Sequence, residues 1–133
     1  MNRKDLVQRI QELKGNYSFV NGFIYRINEY DGDYPLLWCV PPVFQSRTGD
    51  NKSFKVTLYA FDEINEETEI EKEQVWSNQE DYLLTIADTI QQLGNDVINV
   101  RVESLEVDEY AISNRGTLSS VIVLSIDIYD CGA

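Results

Sequence analysis

The chain has 133 residues, the usual size of one domain, and 43% hydrophobic with 11% aromatic residues mark a folded protein rather than a disordered one. A formal net charge of −12 without a single histidine excludes serine–histidine and cysteine–histidine catalysis and most zinc sites. The same charge argues against phosphate-gripping DNA recognition and against anionic membranes. Two cysteines, Cys39 and Cys131, make no secreted disulfide framework, so a reducing compartment is the simpler expectation. The first fifteen residues are charged and amphipathic with no apolar signal core, and no apolar run approaches the roughly 20 residues of a membrane span.

In residues 3–14, Leu6, Val7, Ile10 and Leu13 form one apolar helical stripe, stopped by Gly15-Asn16. Residues 17–29 place Phe19, Phe23, Tyr25 and Ile27 in alternation, predicting a strand that Asn21-Gly22 interrupts as a bulge or a hairpin turn. Residues 30–35, YDGDYP, carry turn chemistry. The run Leu36-Leu37-Trp38-Cys39-Val40 is short and wholly apolar, as in a strand buried on both faces. Pro41-Pro42 cannot donate ladder hydrogen bonds and marks the end of that pairing or an edge. Residues 45–53 are polar and predict a loop, so that 36–44 and 54–61 form a long hairpin with a mobile tip.

Residues 62–74 carry seven carboxylates against one lysine and predict a solvated connection. Ser77 and Glu80 then fit a capping box, with Asp81 favoured by the dipole of the first turn. Leu83, Ile86, Ala87, Ile90 and Leu93 continue as the apolar face of a helix closed by Gly94-Asn95. Two strands follow. Residues 97–107 show an apolar phase, Ile98, Val100 and Val102, that shifts to Leu105 and Val107, so a bulge is expected near Glu103-Ser104. After a turn at 113–116, residues 118–129 alternate, with Leu118, Ile122, Leu124, Ile126 and Ile128 inward. Residues 1–133 thus predict a single α+β domain: an antiparallel sheet of about four to five strands with two helices packed on one face.

No catalytic, cofactor-binding or metal-binding residue emerges, and no enzyme activity is expected. Cys39 sits in an apolar strand and reads as core, and Cys131 has no nearby base to make it a nucleophile. The carboxylates of 62–74 lack the spacing and glycine turn of a calcium loop. No apolar pocket is marked that would raise one acid of a glycosidase pair. Two stretches stand out as candidate surfaces. One is the polar segment Arg47, Thr48, Gly49, Asp50, Asn51 and Lys52. The other is the acidic set Asp62, Glu63, Glu66, Glu67, Glu69, Glu71 and Glu73. Eight tyrosines, a residue enriched at interfaces, fit an oligomer as well as the rim of a core.

The succession YPLLWCVPP, FKVTLYAFDEINEE and VWSNQEDYLLTIADTIQQL, closed by a strand ending in YDC, resembles the tail-terminator or tail-completion proteins of the phage head–tail neck. It is similar to small neck and tail proteins of phages of Bacteroides-type hosts, including crAss-like phages. The resemblance covers nearly the whole chain and rests on the order of elements, with no signature motif. It implies a structural virion protein, assembled in the host cytoplasm as a homo-oligomeric ring of six or twelve copies, in contact with other phage neck and tail proteins. DNA would pass nearby without specific binding, and an acidic lumen would keep it from sticking. On that reading the 47–52 segment is the inter-ring arm and the acidic set lines the channel or faces a partner. A second reading from another class uses the same carboxylates: a cytoplasmic acidic binding or inhibitor module, a DNA mimic or immunity-type protein, occupying a basic partner.

Overall fold

The computed structural model describes residues 1–92, 94, 96–108 and 116–130. The chain runs α1 (Arg3–Glu12), β1 (Ser18–Asn21), a 3-10 helix (Ile24–Glu29), β2 (Leu36–Cys39), β3 (Val43–Thr48) and β4 (Asn51–Glu63). It continues with α2 (Glu69–Gln92), β5 (Val97–Asp108) and β6 (Thr117–Tyr129). Among the described residues six strands make one sheet, ordered β1-β2-β4-β6-β5, with β3 also on β4. The α+β class is as expected; the sheet is larger than four to five strands, and it is mixed, because β1 runs parallel to β2.

The strand expected over 17–29 is short for a physical reason. Backbone pairing with β2 holds only Ser18–Asn21, and Gly22 N donates to Cys39 O at 3.1 Å as the last rung. The chain then turns into the 3-10 helix, which lays Ile27 on Leu36, Trp38 and Phe61. Phe23 and Tyr25 therefore point to solvent, although their alternation mimics a strand.

The polar stretch 45–53 is not a loop. It forms the hairpin β3–β4, turning at Gly49-Asp50 with Thr48 opposite Asn51. Gly49 has φ +62, and glycine at the first central position is the requirement of a type II′ two-residue turn. β4 is paired along its whole length with β6, from Asn51↔Tyr129 to Glu63↔Thr117. Its other edge is shared by β3, opposite 51–55, and β2, opposite 58–61. Pro41-Pro42 separates these two, and the Arg3 guanidinium donates to the Pro42 carbonyl.

α2 begins earlier than the expected cap at Ser77. Thr68 Oγ1 accepts from Glu71 N at 3.3 Å, and Lys72 N donates to Thr68 O at 2.9 Å, so Thr68 is the cap and Ser77 lies in the exposed helix body. Glu69 and Glu71 occupy the first turn, where the dipole favours carboxylates. The helix spans 24 residues, about 36 Å. Its buried stripe is Trp76, Gln79, Leu83, Ile86, Ala87 and Ile90. Leu93 and Asn95 lie outside the described residues, while Gly94 has the expected positive φ, +122.

α1 carries an Asn2–Asp5 capping box and buries Leu6 and Ile10. Both helices cover one face of the sheet. There Leu6, Ile10, Leu83, Ile86 and Ile90 meet Leu37, Val56, Leu58, Ile122, Leu124 and Ile126. Each fully buried Leu or Ile contributes about 1.5–3 kcal/mol before ordering costs. The smaller cluster around the 3-10 helix covers the other face at the β2 end. Leu36–Cys39 is thus buried on both sides, as its continuous apolar run predicts.

The bulge in β5 falls between Val102 and Ser104, where it was expected. It restores the phase, so that Val100, Val102, Leu105 and Val107 all pair opposite the helix-side residues Ile126, Leu124, Ile122 and Ser120. A second shift, between Val97 and Asn99, buries Val97 and turns Ile98 outward, against its expected place in the Val100–Val102 row. The expected turn at 113–116 lies outside the described residues except for Gly116, whose φ is +66.

Candidate functional site

The first candidate segment, 47–52, is the far end of the β3–β4 hairpin. All six residues of β3 are exposed. A strand with no buried face carries no hydrophobic period, which is why 45–53 reads as loop. Thr48 and Asn51 flank a two-residue turn and form its hydrogen-bonded pair. By alternation Arg47 faces Lys52 in a non-bonded pair, so the Arg47 backbone N–H and C=O point away from β4. The Arg47 side chain curls back, its Nε donating to Gly49 O at 2.8 Å. Lys52 is not part of a free arm. Its Nζ meets Asp130 Oδ2 at 2.8 Å, and Asp130 N donates to Asp50 O at 2.8 Å, fastening the hairpin to the end of β6.

Beside this segment lie two large apolar side chains that its polar sequence conceals. Val43 is 56% exposed and Phe44 53%, the latter edge-on to Phe54 at 5.9 Å. At the opposite edge of the sheet, β5 exposes Ile98, Val102 and Val107. The signal for both was present as apolar residues in strands that, among the described residues, lack a second neighbour. It becomes readable only once the strand order is known. Monomeric proteins protect their outermost strands, and among the described residues no strand covers either of these two partly apolar edges.

The second candidate segment divides in two. Asp62 leaves it: this residue belongs to β4 on the helix side and accepts from Gln79 Nε2 at 2.8 Å. Gln79 is wholly buried and fully engaged. It also donates to Leu118 O at 3.0 Å and accepts from Ser120 Oγ at 2.7 Å, tying α2 to β4 and β6. Burial raises the Asp62 carboxyl pKa, against the lowering effect of the Gln79 hydrogen bond. Glu63 ends β4. Glu66, Glu67, Glu69, Glu71 and Glu73 occupy the connection and the first turns of α2. Of these, Glu67 accepts from Asn65 N at 2.7 Å, and Glu69 pairs with Lys72 at 3.2 Å. The segment is therefore helical from Glu69 on rather than a linker throughout.

Other chemistry-bearing groups are structural. Burial pushes the Cys39 thiol up to about 12, which leaves no thiolate at neutral pH. Tyr17 stacks on Tyr82 with centroids 3.7 Å apart, and Tyr82 Oη donates to Lys14 O at 2.8 Å. Burial, with the Asp62 charge adding, moves Tyr17 up to about 12. On the helix-free face, an open polar depression of about 340 Å³ runs between β3, β4 and β5, past Ser46, Ser53, Arg101 and Asp127. Ser53 Oγ donates to Asp127, and Arg101 Nη2 donates to Ser125 Oγ at 3.3 Å, so these groups largely satisfy one another. No cluster of three or more metal-ligating side chains occurs among the described residues. No helix among them is long and apolar enough to cross a membrane. No protein-family model matches the chain, and no curated protein matches it.

Proposed function

We propose that this chain is a structural virion protein, a subunit of a homo-oligomeric ring at the phage head–tail neck or tail end that joins head and tail and surrounds the DNA channel. One observation carries the reading. Exposed apolar side chains lie at two different outer strands of one sheet, Val43 and Phe44 on β3 and Ile98, Val102 and Val107 on β5. A subunit with two unlike adhesive edges builds head-to-tail contacts, which form a ring when the rotation between successive copies closes. The resemblance of the sequence to tail-completion proteins points the same way. Exposed Glu66, Glu69, Glu71 and Glu73, with half-buried Glu67 among them, give such a ring an acidic surface that repels passing phosphates.

Light scattering followed by negative-stain imaging tests it: the expected mass is a multiple of 15.4 kDa, in annular particles. Replacing Glu66, Glu67, Glu69 and Glu71 by glutamine tests the electrostatic part. The fold and ring should persist while DNA ejection yield falls; an unchanged yield removes the channel role from these residues. A chain that stays monomeric, forms no ring in particles and captures a basic protein points instead to the acidic inhibitor module.

A further inference from the structure

We propose that a second copy of this chain pairs with it through β1, antiparallel about a two-fold axis at Val20. The joint goes beyond the ring reading and needs only a second copy. It leaves β3 and β5 for head-to-tail contacts, and between rings it would join one ring to another.

Backbone groups are the first ground. β1 is outermost on its side of the sheet, and among the described residues no strand covers its outer edge. Ser18 N donates to Pro35 O at 2.9 Å, and Gly22 N donates to Cys39 O at 3.1 Å. Residues bonded to one neighbour alternate with residues that face the other way, so the N–H and C=O of Phe19 and Asn21 point outward. Setting Phe19 opposite Asn21 of the second copy satisfies all of them with four hydrogen bonds, and places Val20 beside Val20 at the axis. The faces agree in this register. Phe19, and Asn21 by alternation, lie on the helix side, while Val20 lies on the other face with Trp38.

The charges beside the strand are the second ground. The 3-10 helix runs back from Gly22, beyond the Cys39 end of β1, toward Leu36, which pairs with Ser18 at the start of β1. A cavity of about 240 Å³ separates it from β1, with Val20, Gly22 and Trp38 on one side and Arg26, Glu29 and Tyr30 on the other. Arg26 thus stands toward the end of β1 and Glu29 toward its start, about 6 Å apart along the helix. Neither makes an ion pair among the described residues. A two-fold at Val20 exchanges the two ends, so each Arg26 comes to the level of Glu29 in the other copy. One patch with both signs on opposite sides of the axis is complementary to itself, as an isologous interface requires.

Exposed aromatic surface is the third. Phe23 and Tyr25, 54% and 73% exposed, stack at 5.9 Å where β1 passes into the 3-10 helix. A neighbour along β1 shields apolar surface that the single chain leaves wet. The described segments that stop at Asp108 and Asp130 belong to β5 and to the end of β6, at least three strand spacings, about 14 Å, from β1.

The test mixes two charge variants of the full chain, read by light scattering, with circular dichroism as the check on folding. Arg26→Glu makes both positions acidic, and Glu29→Lys makes both basic. Each variant alone sets like charges across the axis and should halve the native mass. An equal mixture sets an acidic patch against a basic one and should regain that mass, a result that no contact within one chain can give. Asn21→Pro removes an outward N–H and should weaken association at least about fivefold. Asn21→Ala loses the same side chain but keeps the N–H, and should associate as the native chain does. The mixture decides the matter if Asn21→Pro fails to fold. A native mass of twice 15.4 kDa, halved by each charge variant, keeps this joint and removes the ring. A larger native assembly whose mass ignores the variants overturns the joint and leaves the ring, and a mixture that stays at the halved mass also overturns the joint. A native chain of 15.4 kDa at every concentration overturns both.

Discussion

Gln79→Leu isolates the buried polar node, because leucine fits the helix and roughly the volume but makes none of the hydrogen bonds. The substitution strands the Ser120 hydroxyl, which is wholly buried, one bond to Leu118 O and one to the Asp62 carboxylate. A buried polar group left without its partner costs about 1–3 kcal/mol. The Leu118 carbonyl retains part of its ladder, and Asp62 is partly solvated. The buried leucine returns about 1 kcal/mol of transfer energy. The expected net loss is about 2–4 kcal/mol. Urea unfolding should show it as a lower midpoint at an unchanged m value.

The pH dependence supplies a second readout. Asp62 has its folded pKa above the unfolded value, so folding favours its protonated form. Its contribution is greatest below the unfolded pKa and is lost as pH rises through the folded one. Losing the Gln79 bond raises that pKa further, so the cost of Gln79→Leu should be smaller at pH 4 than at pH 7. Asp62→Asn, which keeps an acceptor and removes the charge, should flatten this dependence. A loss below about 0.5 kcal/mol at pH 7, or a cost that grows on acidification, refutes the assignment of Gln79 as the tie between α2, β4 and β6.

Thr68→Ala should cost about 1 kcal/mol as the loss of a cap, whereas Ser77→Ala, inside the exposed helix body, should be neutral or slightly stabilising; equal losses would place the helix start elsewhere. Gly49→Ala meets no atom within 4 Å but must hold φ near +62, so calorimetry should show a loss of about 1–2 kcal/mol from backbone conformation alone. In a Cys131→Ser background, Cys39 should react with a thiol reagent only after denaturant is added, and fast labelling of the native protein would contradict its burial.

Where burial follows the period of the element, the sequence was readable. Leu6 and Ile10 of α1, the Leu83–Ile90 stripe, the apolar run of β2 and the alternation of β6 each carry the period of their own environment. The start of α2 was hidden because Gln79 occupies an inward position that apolar periodicity leaves blank, and because glutamates read as solvated chain although they are good helix formers. The 3-10 helix was hidden by Phe23, Tyr25 and Ile27, whose spacing of two serves no sheet face. β3 had no period to read, since both its faces are wet. The candidate edges were illegible for a related reason: an edge is a property of strand order. The sequence places 43–48 and 97–108 far apart without stating that both are outermost.

The place of β6 also governs how the chain can fold. β4 and β5 do not touch until the last long strand slides between them and pairs with each along most of its length. Most of the sheet therefore closes through contacts distant in sequence, which sets folding on the slow, millisecond-to-second side for a domain of this size. At about 5–20 residues per second, a ribosome making this chain holds β4 for several seconds before β6 exists. During synthesis the helices and the β3–β4 hairpin can form, but the apolar side chains of Val56 and Leu58 wait uncovered on one flank. The nascent chain is thus most exposed to misassociation just before its last strand is made, and a truncation that removes β6 leaves two unsatisfied half-sheets rather than a smaller domain.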